Sequence, residues 1–108
     1  MIRRIFIPFE VGGQLIDTQL RTAALDAAIT DLVGAYTHVR KWNFDSITPE
    51  KGTKPEDKKF TTVRASILEI AAQDGKDTAF LLVANMLRDK LKCPLFIELA
   101  EKKYSKFI

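Results

Sequence analysis

The sequence predicts a ferredoxin-like fold of the α+β class, a βαββαβ two-layer sandwich with two helices on one face of a four-stranded antiparallel sheet. Two short apolar runs, Ile5-Phe6-Ile7-Pro8-Phe9 near the start and Leu95-Phe96-Ile97-Glu98-Leu99 near the end, read as strands. A third β-rich stretch lies at 60–70, and two segments of helical periodicity separate the strands. The order of these elements selects the architecture, and because that architecture hosts enzymes, binders and dimerisation modules alike, it does not select an activity.

At 108 residues the chain can bury one two-layer core and not two, so 1–108 is expected to be a single domain. A hydrophobic content of 46% and a charged content of 29% are those of an ordinary globule. No apolar run approaches the ~20 residues that span a bilayer. Pro8 and Glu10 also interrupt the opening run before it reaches the length of a signal-peptide core, so a cytoplasmic protein without membrane contact is expected. The formal charge of +3 is uneven: residues 1–87 hold eleven Lys and Arg against eleven Asp and Glu, which leaves the excess in 88–108. Lysines at the end of a helix suit its dipole, and that reading suffices for the basic end.

The first strand, 2–10, places Ile5, Ile7 and Phe9 on one face and Arg4, Phe6 and Pro8 on the other. Gly12-Gly13 ends it. Asp17 or Thr18 caps a helix to about Val33, with Leu25, Ala28, Ile29, Leu32 and Val33 on its stripe and Gly34 as terminator. A second strand follows at 35–44, its alternation weak and its charge high, as on a sheet edge. Residues 45–58 carry two prolines, one glycine and seven charges in fourteen positions and read as a long flexible loop. The third strand, 59–71, changes apolar parity near Leu68, which suggests a bulge or the end of the strand. Phe80, Val83, Ala84, Leu87 and Leu91 form the stripe of a second helix that ends at Lys92-Cys93-Pro94, and the fourth strand, 95–100, completes the set. The first and third strands, the most apolar, should be central, and the second and fourth should be edges.

Enzyme chemistry finds little footing in these residues. Gly12-Gly13 lacks the third glycine and the Lys-Ser/Thr of a phosphate loop, and no glycine-flanked elbow surrounds Ser46, Ser66 or Ser105 for use with His38. One cysteine and one histidine cannot form a disulfide or a structural zinc set, and Cys93 reads as a small buried hydrophobe. Glu50, Glu56 and Asp57 share a lysine-rich loop where nothing would desolvate them. No catalytic residue, metal site or cofactor is therefore expected.

The sharper signal is aromatic. If Ile5, Ile7, Val63, Ala65 and Ile67 pack on the helices, Phe6 and Phe60 point to the open face of the sheet, where Tyr36, Trp42 and Phe44 join them beside His38, Arg40 and Arg64. These seven residues, Phe6, Tyr36, His38, Arg40, Trp42, Phe60 and Arg64, are the candidate interface. An exposed patch of this kind marks a partner site, and the expected function is a non-enzymatic binding and assembly module. It would self-associate through the open face as a homodimer or higher homo-oligomer and take a small ligand or protein partner. The run Ile5-Phe6-Ile7-Pro8-Phe9 also resembles the first-strand signature of RNA recognition motif domains, and Lys58-Lys59-Phe60-Thr61-Thr62-Val63 lies where their third-strand signature would be. That resemblance implies the alternative: single-stranded RNA stacked on the sheet aromatics and framed by Arg4, Arg40 and Arg64. A small enzyme with a composite site across a dimer is the third reading.

Overall fold

Strand β1 (Ile2–Pro8) alternates as its sequence predicts, with Ile5 and Ile7 fully buried under the helices. The structure is a computed structural model that describes residues 1–49, 60–73, 75–99 and 104–108, with side chains for 1–44, 64–73, 75–99 and 106–108. After β1 the chain forms a two-residue hairpin, β2 (Glu10–Val11) with β3 (Gln14–Leu15). Gly12 and Gly13 make its turn at φ 59° and 81°, the paired left-handed conformation that glycine adopts without steric cost. Helix α1 (Thr18–Ala35) follows, capped by Asp17, whose Oδ1 accepts the Leu20 N–H at 2.8 Å. The helix runs through Gly34 and is closed by the extended Tyr36, so Gly34 is not its terminator.

Strands β4 (His38–Pro49) and β5 (Phe60–Ala71) pair antiparallel over their full length. The second strand is thus longer than expected: 45–49 belong to the ladder, and of the predicted loop only 50–58 fall outside the described residues. Helix α2 (Thr78–Leu91) buries the five residues of its predicted stripe, then β6 (Phe96–Leu99) and β7 (Tyr104–Phe107) close the chain.

The sheet order is β4-β5-β1-β6-β7, antiparallel throughout, with both helices on one face. This is the predicted two-layer sandwich with five strands in place of four. The first and third sequence strands are central and the second is an edge, but β7 pairs outside β6 and takes the other edge. Each side chain fully buried in this core, Phe80, Leu32, Leu87 and Leu95 among them, contributes about 1.5–3 kcal/mol by leaving water.

Two inner faces differ from expectation. In β5, Ser66, Leu68 and Ile70 face the helices, while Ala65, Ile67 and Glu69 lie on the open face opposite residues of β1 and β4. The β1–β5 register runs unbroken from Ile2↔Ala71 to Pro8↔Ala65, so there is no bulge at Leu68. The parity change arises because cross-strand neighbours cover the open face as well. In α1 the buried stripe is Arg21, Ala24, Leu25, Ala28 and Leu32, which leaves Val33 exposed.

Helix α2 ends at Lys92, the one non-glycine residue with positive φ among those described, at 53°. A left-handed L-residue costs about 1–2 kcal/mol, whereas glycine there gives back roughly 0.5–1 kcal/mol through the entropy of the unfolded chain. Lys92→Gly is therefore expected to raise stability by about 0.5–1 kcal/mol in urea unfolding. A loss of stability would show that the Lys92 side chain, not its backbone, holds this turn.

Candidate functional site

A cleft of about 250 Å³ lies between Phe9, the end of the hairpin at Leu15, the first turns of α1 and the helix side of β4 and β5. Its lining is apolar at Phe9, Leu15, Ile16 and Leu25 and polar at Thr18, Thr22, Asp26, Lys41 and Asn43. The i, i+4 spacing of Thr18, Thr22 and Asp26 puts them on one face of α1. Lys41 and Asn43 come to the same cleft because β4 presents them on the helix side, opposite Leu68 and Ser66.

Arg21 forms the floor. It is 7% exposed, and its Nε and Nη2 donate to the carbonyls of Pro8 at 3.0 Å and Ile7 at 2.9 Å. Nη2 also donates to Ser66 Oγ at 2.8 Å, and Ser66 Oγ donates in turn to Asn43 Oδ1 at 2.9 Å. The Arg21 guanidinium lies 3.7 Å from the centre of the Phe9 ring and that of Arg64 lies 4.9 Å from it. Burial, and then the positive charge of Arg64, lowers the Arg21 pKa from its usual value, yet a guanidinium remains a cation at neutral pH. Burial likewise pushes the Cys93 thiol up, which suits an inert core residue, although nearby Arg21 acts in the other direction.

The open face of the sheet is a second polar cluster. Glu69, 4% exposed, accepts from Arg4 Nε at 3.0 Å, and its other oxygen lies 3.4 Å from His38 Nε2 and 3.7 Å from Arg40 Nη1. Arg4 also donates to Glu98 at 3.1 Å. Burial alone would lower the Arg4 pKa, but its hydrogen bonds to Glu98 and Glu69 and the charges of both carboxylates raise it. Beside the charges, Phe6 packs on Phe96 at 5.6 Å, Phe96 on Phe107 at 5.1 Å, and Arg40 lies 5.2 Å from the Trp42 ring centre.

Of the residues predicted from sequence, the structure brings Phe6, His38, Arg40 and Trp42 together on the open face. Tyr36 is elsewhere: its hydroxyl donates to Lys76 O at 2.7 Å and accepts from Phe80 N at 3.0 Å, tying α1 to the start of α2. Arg64 lies on the helix side over Phe9, so Arg4, Arg40 and Arg64 do not frame one platform for bases. The Phe60 side chain is outside the described residues. Sequence reasoning missed Arg21, Asn43 and Ser66. One signal was available: Arg21 stands at i−4 from Leu25, in line with the apolar stripe, where a solvated arginine would not be placed.

Fold and cleft define a small α+β domain with room for a ligand of nucleoside size. No family model matches the chain, and no curated protein matches it. Among solved structures it is similar to a phage SAM lyase in complex with S-methyl-5′-thioadenosine, with a TM-score of 0.63 and 17% identity over 99% of this chain and 87% of that one. It is also similar to a phage SAM lyase in the apo state, with a TM-score of 0.59 and 14% identity over 99% and 86% of the two chains. These neighbours are enzymes, which overturns the expectation of a non-enzymatic function. No helix among the described residues is long and apolar enough to cross a membrane.

Proposed function

We propose that the protein is a lyase that cleaves S-adenosylmethionine, releasing S-methyl-5′-thioadenosine. The observation that carries this reading is the likeness of fold along 99% of the chain to a lyase complexed with that thioadenosine. The cleft supports it, because its apolar lining suits an adenosine and a methylthio group while its polar side chains suit an amino-acid arm. The bond that breaks joins the sulfonium to the γ-carbon of the arm; its electron pair goes to sulfur, which becomes the neutral thioether. Without water, the four-carbon fragment leaves by one of two routes. Either its own carboxylate closes on the γ-carbon to give a lactone, or a β-proton passes to a base, the arm's own carboxylate or solvent, and the C–H electron pair becomes the double bond of an alkene. In both, the sulfonium charge is being neutralised in the transition state as the C–S bond breaks. Surroundings that hydrate that charge poorly, such as Phe9, Ile16 and Leu25, favour the step.

The test is incubation of the purified protein with S-adenosyl-L-methionine and chromatography of the products at early times. Methylthioadenosine is expected in step with the lactone or the alkene. A rate no greater than that without protein overturns the reading, and homoserine as first product would make the enzyme a hydrolase instead.

A further inference from the structure

Arg21 is a buried cation without a counter-ion. The two arginines of β1, Arg3 and Arg4, each meet a carboxylate, Asp77 for the first and Glu69 and Glu98 for the second. Arg21 makes no ion pair, and its Nε and Nη2 are used on two carbonyls and a hydroxyl. Its Nη1 donates to nothing. Since no buried side-chain nitrogen or oxygen among the described residues lacks a partner, Nη1 is not sealed in the interior and reaches the cleft that Arg21 lines. A charge at this depth is costly unless something pairs with it.

The surroundings say what that something is. Lys41 lines the same cleft from β4 and makes no ion pair. Asn43 spends its carbonyl oxygen on Ser66, which leaves its NH₂ to donate. The first turn of α1, with Thr18 at its start, adds the positive end of an eighteen-residue helix. Against these donors stands one carboxylate, Asp26, a turn further along α1 from Thr22, exposed and without an ion pair. The cleft therefore has an anion-seeking floor and a single acid at its rim, which is the charge pattern of a zwitterion read in reverse.

We propose that Arg21 and Lys41 form the subsite for the carboxylate of the substrate's amino-acid arm, with Asp26 facing the positive end; this rests on the reading of the cleft as an adenosyl-sulfonium site. Arg21 Nη1 engages one carboxylate oxygen and leaves the other free. A thioadenosine product without the arm keeps none of these contacts, so cleavage itself weakens the hold on what remains.

Equilibrium binding of three uncleavable thioethers tests this without turnover: S-methyl-5′-thioadenosine, S-adenosyl-L-homocysteine and its decarboxylated analogue, which differs from the second only by the carboxylate. Loss of the carboxylate is expected to weaken binding about 10- to 100-fold in the native protein, the range of one charge-assisted contact. In Arg21→Met that factor should fall to no more than about 2- to 5-fold, the share an exposed Lys41 can still supply, while the affinity for methylthioadenosine is kept; a merely structural arginine would weaken all three ligands alike. Should Arg21→Met fail to fold, Lys41→Met at an exposed position gives the same readout with a smaller drop. If the two homocysteine compounds bind the native protein within about twofold while methylthioadenosine also binds, the subsite is wrong and the site reading stands. If none of the three binds, both fall together.

Discussion

Removing the carboxylate of Asp77 is expected to cost the protein about 3 kcal/mol, more than removing the arginine that it faces. The asymmetry comes from burial. The Arg3 side chain is 2% exposed and that of Asp77 32%. Arg3 donates to the carbonyls of Met1 and Ala72, both at 2.7 Å, and of Gln73 at 3.1 Å, besides pairing with Asp77. Asp77→Ala leaves the cation inside with carbonyl dipoles alone. Arg3→Met keeps most of the side-chain volume and leaves a carboxylate that already sees water, at a cost of about 1–2 kcal/mol for the carbonyls that lose a donor. The double variant should then be no less stable than Arg3→Met, since the second change removes an acid with nothing left to neutralise. Urea unfolding of the three variants decides it. An Asp77→Ala protein within 0.5 kcal/mol of the parent would mean that the carbonyls suffice and the ion pair contributes nothing.

The Arg3 network also draws on the start of α2. Asp77 is the residue before the helix, of a type that commonly caps, but its side chain makes no capping hydrogen bond and reaches Arg3 instead. A tertiary partner outbids a local one here, and no local pattern reveals it. The same limit runs through the rest of the chain. The stripe of α2 was legible because its five core residues face one neighbour at helical spacing, whereas β5 was not, because both of its faces are covered around 65–70 and alternation carries no sign of which is which. Strand β7 was missed because Tyr104–Phe107 is short and lies on an edge, where Phe107 is 72% exposed. The cleft depends on Phe9 and Leu15, at the two ends of the hairpin segment, coming to the first turns of α1. The sequence shows the Gly12-Gly13 turn, but not that Phe9, carried past the end of β1, will meet Arg21. The open-face cluster was half visible: Phe6, His38, Arg40 and Trp42 were placed there by alternation, but its centre, Glu69, was not, since an acidic residue in an apolar strand reads as solvated until Arg4 is found opposite it.

Glu69 makes the last prediction, that Arg4→Met destabilises the protein by about 3 kcal/mol while Arg40→Met, on the same carboxylate, changes it by less than about 1 kcal/mol. Both arginines are partners of Glu69, and a count of ion pairs would rank them equally. Distance and exposure do not. Arg4 is 29% exposed and donates at 3.0 Å; Arg40 is 63% exposed and stands off at 3.7 Å, where water screens it. Without Arg4, the 5% exposed side chain of Glu69 keeps only His38 and Arg40, and faces Glu98 across β1 with no cation between them. Adding Glu69→Leu to Arg4→Met should recover most of the loss, because a buried pair replaced by apolar groups is often neutral and half of one is not. Trp42 is the only tryptophan and lies on this face, so its fluorescence in urea follows the affected region directly. Equal and small effects of Arg4→Met and Arg40→Met would show that water reaches Glu69 freely, and that the sheet's open face is held by Phe6, Phe96 and Ile67 rather than by its charges.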